Sequence, residues 1–139
     1  MKIIQNIYNK MEDIKMEYKT FKYKNYRNCY FEVGNYLYNS QAMYIELYGD
    51  GDGEKDGLII TVTVNINDFY MPDTATIKNY SDNAGITKFL QKLGIIEEIY
   101  SRRKCNPYAL DSETIDFCLI NIEKLKTYSK SFNYEWKTK

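Results

Sequence analysis

The chain has 139 residues, 44% hydrophobic and 27% charged, and its nineteen basic side chains balance nineteen acidic ones. That is the length of one domain, and the balance leaves no global field to draw in nucleic acid or an anionic membrane. Histidine is absent, which excludes Ser-His-Asp and Cys-His catalysis and every zinc site that needs imidazole.

Residues 1–17 read as an N-terminal appendage, a short helix or a tail, ahead of a single domain over 18–139. Ile3, Ile7, Met11, Ile14 and Tyr18 recur at helical spacing. The opening MKIIQNIYNK is too broken and too polar for a signal core. No run approaches the roughly eighteen apolar residues of a membrane span. A cytoplasmic protein is expected.

From Thr20 the period becomes two. Cys29, Phe31 and Val33 alternate with Tyr30 and Glu32, and Met43, Ile45 and Leu47 alternate with Tyr44, Glu46 and Tyr48. Ile60, Val62, Val64 and Ile66 repeat the pattern, so three half-buried strands are expected. Between the second and third lies GDGDGEKDG, residues 49–57, which reads as a long hairpin connection. Strand 43–48 should therefore pair antiparallel with 58–67.

Thr74–Tyr80 reads as a short strand, and SDN at 81–83 as a cap for GITKFLQKLG. Ile86, Phe89, Leu90 and Leu93 share one helical face, with Gly94 at the C′ position. Ile95–Tyr100 fits strand or helix, and 101–113 reads as a loop. Thr114–Ile122 is apolar on both faces, as a central strand is. EKLKTYSK adds a helical turn before a polar end. The expected fold is α+β: an antiparallel sheet of about five strands with one main helix packed on one face.

Catalytic motifs are lacking. There is no GxGxxG and no phosphate loop, and Glu97 and Glu98 are adjacent, so in regular structure they diverge. Cys29, Cys105 and Cys118 are far apart with no CxxC, as expected of reduced thiols. No catalytic residue, cofactor or metal ligand is assigned, and the chain is expected not to be an enzyme. An EF-hand register through the 50–57 loop fails, because Thr61 or Thr63 stands where a bidentate Glu belongs.

Charge is uneven along the chain. Residues 46–82 carry eight acids against two lysines, while 1–27 carry seven basic residues against three acids. A dense acidic patch attracts a basic protein groove, including one built for nucleic acid. Tyrosine reaches 15 residues, and its stiff apolar ring with a polar tip suits interfaces as well as strands. Tyr44, Tyr48, Asp50, Asp52, Glu54 and Asp56 are the candidate partner-binding residues. The segment YKTFKYKNYRNCY, residues 18–30, interleaves cations with aromatics and offers an alternative, a single-stranded nucleic-acid binding module. In a strand, however, Phe21 and Tyr23 would share one face and Lys22 and Lys24 the other.

The stretch Met43 to Lys126 combines YIELYGDGDGEKDG, LIITVTVNI, IKNYSDNAGITKFLQKLGI and IDFCLINIEKLK. In these motifs it resembles a small domain-of-unknown-function family of phages, plasmids and conjugative elements of low-GC Gram-positive bacteria. The resemblance implies an accessory protein that inhibits a host defence system. The form expected is an anti-CRISPR protein that binds a Cas effector, or its nucleic-acid groove, stoichiometrically. An enzyme or sponge acting on a nucleotide immune signal is the remaining alternative.

Overall fold

A computed structural model describes residues 17–66 and 70–136. The expected N-terminal helix lies outside them. The described elements are β1 (Phe21–Tyr23), β2 (Tyr26–Asn35), β3 (Met43–Gly51), β4 (Glu54–Thr61), β5 (Thr74–Asn79), α1 (Ile86–Lys92), β6 (Ile96–Lys104), β7 (Thr114–Ile120), α2 (Ile122–Thr127) and β8 (Ser129–Phe132). The α+β class holds, but the strands form two sheets and not one of five. The first is ordered β1-β2-β3-β4, with β8 pairing β2 in parallel, and the second is β5-β7-β6. Every other pairing is antiparallel.

Residues 62–64 link the sheets. Val62 N–H donates to Ile45 O at 2.8 Å, and Val64 N–H and Lys78 N–H bridge this segment to β5 at 3.0 and 2.9 Å. The inner faces of both sheets enclose one apolar cluster that includes Phe31, Ile45, Leu47, Val62, Ile77, Ile86, Leu90 and Cys118. Strict alternation in β3 and β7, buried then half-buried, is the pattern of strands with one face in that cluster. β7 is central in its sheet, as its sequence indicated.

The expected helix is α1, and its apolar stripe faces the core. Ile86 and Leu90 are fully buried, with Phe89 and Leu93 packed beside them. Its C-terminus is a Schellman closure: Gly94 N–H donates to Gln91 O and Ile95 N–H to Leu90 O, with Gly94 at φ 79°. The expected SDN cap is corrected, because Ser81–Asn83 forms a 3-10 turn and caps nothing. The N-terminal amides are held from β5 instead, where Asn79 Oδ1 accepts from Gly85 N–H and Thr87 N–H at 3.0 and 3.1 Å.

Three further expectations are corrected. Residues 49–57 are strand up to a two-residue turn at Asp52–Gly53, where Gly53 adopts φ 78°. The Asp-Gly pair makes the turn, and the flanking glycines extend the ladder instead of breaking it. Residues 101–104 are strand, not loop, being paired to β7 from Ser101↔Phe117 to Lys104↔Thr114. The polar end after α2 contains β8, whose Ser129–Phe132 follows β2. Among the described residues no helix is long and apolar enough to cross a membrane.

Asp116 ties the second sheet to α1. Asp116, its side chain fully buried on β7, accepts from Arg102 Nε at 2.8 Å and Nη2 at 3.1 Å and from Thr87 Oγ1 at 2.6 Å. That bidentate bond holds the guanidinium pKa above its ordinary value. The three cysteines are free thiols, and burial pushes the Cys118 thiol up to about 12.

Candidate binding face

The outward face of β2 and β3 follows from register. Antiparallel pairing sets Tyr30 against Tyr48, Glu32 against Glu46 and Gly34 against Tyr44. The alternate residues Phe31, Val33, Ile45 and Leu47 are buried on the inner face. Outward side chains on β3 therefore read Tyr, Glu, Tyr, Asp from residue 44 to residue 50.

The rings pack on one another. Tyr30 and Tyr48 are stacked at 5.7 Å with planes 8° apart, and Tyr18 leans on Tyr30 at 5.5 Å. Lys130 of β8 sets its ammonium 5.4 Å from the Tyr30 centroid. Farther along, Tyr36 meets Tyr44 edge-on at 5.0 Å, and its hydroxyl shares a hydrogen bond of 2.9 Å with Thr63 Oγ1. Beyond it the loop projects Leu37 and Tyr38, 95% and 86% exposed.

Two carboxylates sit amid these rings. Tyr48 Oη donates to Glu46 Oε1 at 3.3 Å. The ion pairs among the described residues are Arg102–Asp116 and Lys104–Asp111, so neither Glu32 nor Glu46 has one with a described residue. Like charges directly opposite in a ladder are destabilising. The local field is negative, and the phenols register it. Burial, then Glu46 and Glu32, push Tyr48 up to about 12. Burial, then Asp56 and Glu32, do the same to Tyr30. Burial and Glu46 raise Tyr44 as well.

Gly34 leaves a hollow in this face. A Cβ built there would have no atom within 4 Å, and its φ is not in the left-handed region, so packing does not demand glycine. Glu32, Val33, Tyr44, Glu46 and Ser131 border it, an open depression of about 240 Å³.

No family model, characterised protein or solved structure matches this chain.

The six candidate residues are not on one face. Tyr44, Tyr48 and Asp50 share the outward side of β3, and Asp56 acts on Tyr30 there. Asp52 and Glu54 instead line a separate groove of about 460 Å³ beside the hairpin tips, with Lys24, Tyr26, Gly57 and Ile59. Asp50 is also a structural residue. Its Oδ2 accepts from Asn28 Nδ2 and its Oδ1 from Asp56 N–H, both at 2.9 Å. The bond from Asn28, then that from Asp56, hold its carboxyl below the ordinary value.

Sequence reasoning passed over Glu32, Glu46, Gly34 and Tyr36. The available signal was the matched Tyr-x-Glu spacing of Tyr30/Glu32 and Tyr44/Glu46, which antiparallel pairing turns into one patch. Of the aromatics in segment 18–30, Tyr18 and Tyr30 pack on this face, whereas Phe21 and Tyr23 do not. Phe21 packs on Phe31, Phe89 and Tyr128, and Tyr23 on Phe89, so both rings belong to the core.

Proposed function

We propose that this chain works by stoichiometric binding, laying the outward tyrosine face of β2 and β3 against a basic surface of another macromolecule. The observation that carries the reading is the Glu32–Glu46 pair. Two carboxylates stand opposite each other between the stacked Tyr30–Tyr48 pair and Tyr44, without a cation in ion-pair contact among the described residues. Folding alone disfavours that arrangement, whereas a cationic partner favours it. Large rings at low entropy cost and exposed Leu37 and Tyr38 beside them are the material of interface anchors.

The resemblance read from the sequence gives this binding a specific form. The chain is then a phage or mobile-element accessory protein that inhibits host defence, an anti-CRISPR protein occupying the basic nucleic-acid groove of a Cas effector in the host cytoplasm. No bond-making step is part of the reading. The alternative of a single-stranded nucleic-acid module is less supported, because Phe21 and Tyr23 are packed inward.

The test is a titration of purified host Cas effector–guide complexes with the protein, with target-DNA binding read by mobility shift. The expected result is loss of DNA binding that saturates near one chain per complex and weakens with salt. Loss at ratios far below one, or no loss at saturation, contradicts the proposal. Labelled single-stranded oligonucleotide alone, in the same gels at low salt, reads the alternative.

A further inference from the structure

We infer that the Gly34 hollow is a socket for an arginine side chain of the partner. The inference rests on the proposed binding face and names the chemistry that occupies it. Three observations meet at this point. The hollow of about 240 Å³ is of side-chain size and is walled by Glu32, Tyr44, Glu46 and Ser131. Its floor is a glycine that neither backbone conformation nor neighbouring atoms require. Its two carboxylates face each other across the ladder and have no ion pair among the described residues.

A guanidinium answers each of these. Its five N–H donors engage two carboxylates at once, and its flat face packs on a tyrosine ring. Residues directly opposite in an antiparallel pair have Cα atoms roughly 4.5–5.5 Å apart, a spacing that one planar fork can bridge. An ammonium is compact and more strongly hydrated, so lysine gains less from the ring. The Tyr44 ring, held edge-on by Tyr36, forms a fixed wall to the hollow. Arginine anchors of this kind, seated in a desolvated pocket, dominate the energy of many interfaces.

The experiment is an amide-shift titration of the full chain with the capped peptide Gly-Arg-Gly, beside its citrulline analogue. The arginine peptide should shift the amides of Glu32, Gly34, Tyr44 and Glu46, and the citrulline peptide should not. Gly34→Ala places a methyl in the hollow without touching another residue. It should keep the remaining spectrum and the thermal midpoint while weakening the peptide by about tenfold, and Glu46→Gln should weaken the peptide to a similar extent. An equal response to citrulline, an unchanged affinity in Gly34→Ala, or shifts confined to the groove of Tyr26, Asp52 and Glu54 would overturn the socket.

The two readings fail separately. If a captured partner binds Gly34→Ala as tightly as the parent chain but is lost from Glu32→Lys/Glu46→Lys, the socket is wrong and the face stands. Should the arginine peptide bind at Gly34 while no basic partner is retained, the socket stands and the proposed function falls.

Discussion

Arg102 and Asp116 show how much one residue can depend on another. Asp116 is fully buried, whereas the Arg102 side chain is 48% exposed. Arg102→Met therefore strands a buried carboxylate with Thr87 as its one remaining side-chain donor, at a cost of about 3 kcal/mol. Adding Asp116→Asn should recover most of that loss in urea unfolding, because a neutral amide needs no counter-charge. If the double variant is as unstable as the sum of the single ones, the ion pair is not what matters there. The site carboxylates invert the sign. Glu46→Gln removes a like-charge contact with Glu32 and should stabilise the free chain by a few tenths of a kcal/mol. It should also let Tyr48 ionise at lower pH, since Glu46 helps to hold that phenol up to about 12. Ultraviolet titration reads this directly. Because Tyr30 and Tyr48 are raised in the folded state, their contribution to stability is complete below the ordinary tyrosine value. It is lost as pH rises through about 12. For Asp50 the sign is opposite. Its lowered value stabilises the fold above the ordinary carboxylate range and ceases to do so as pH falls through it. Asp50→Asn should therefore flatten the acid limb of a stability–pH profile, and an unchanged limb would deny Asp50 that role.

Elements were legible where one pattern sufficed. The period-two runs located β2 and β3, the apolar run at 114–122 located β7, and the i, i+3, i+4 stripe with Gly94 located α1, because local burial alone sets those patterns. What escaped depended on partners distant in sequence. β8 is four residues of Ser-Lys-Ser-Phe whose strand character comes from β2 about a hundred positions away. The α1 amides are held by Asn79, not by the adjacent Ser-Asp-Asn, since Asn79 is itself fixed by Thr114 Oγ1 at 3.1 Å. Asn79→Ala should thus cost about 2 kcal/mol and loosen α1 and the end of β7 together, as hydrogen exchange would reveal. Protection lost in α1 alone would separate the two. The hairpin makes the complementary case. A methyl at Gly49 would lie 2.7 Å from Cys29 Sγ, whereas at Gly57 it meets only the mobile Glu54 carboxylate. Gly57→Ala should therefore be neutral or gain about 0.5 kcal/mol, while Gly49→Ala destabilises.

At the scale of the molecule, two sheets share one core and leave one tyrosine-rich face turned outward. The candidate site was half visible in the sequence. Tyr44, Tyr48 and Asp50 belong to the face, but the acids that looked most exposed, Asp52 and Glu54, line a different groove. The run of acids drew attention to the hairpin tip. The proposed face comes from the pairing of β2 with β3, a register that composition does not encode. The central claim is that this face recruits a basic partner through Glu32 and Glu46. Its most direct measurement is paired affinity capture from host lysate, using the parent chain and Glu32→Lys/Glu46→Lys, each eluted with a salt gradient. The account predicts that the parent chain retains a basic protein complex in near-equimolar amount, released as salt rises, and that the charge-reversed chain, folded to the same spectrum, retains none. Identical retention by both chains, or no retention by the parent at low salt, would contradict it.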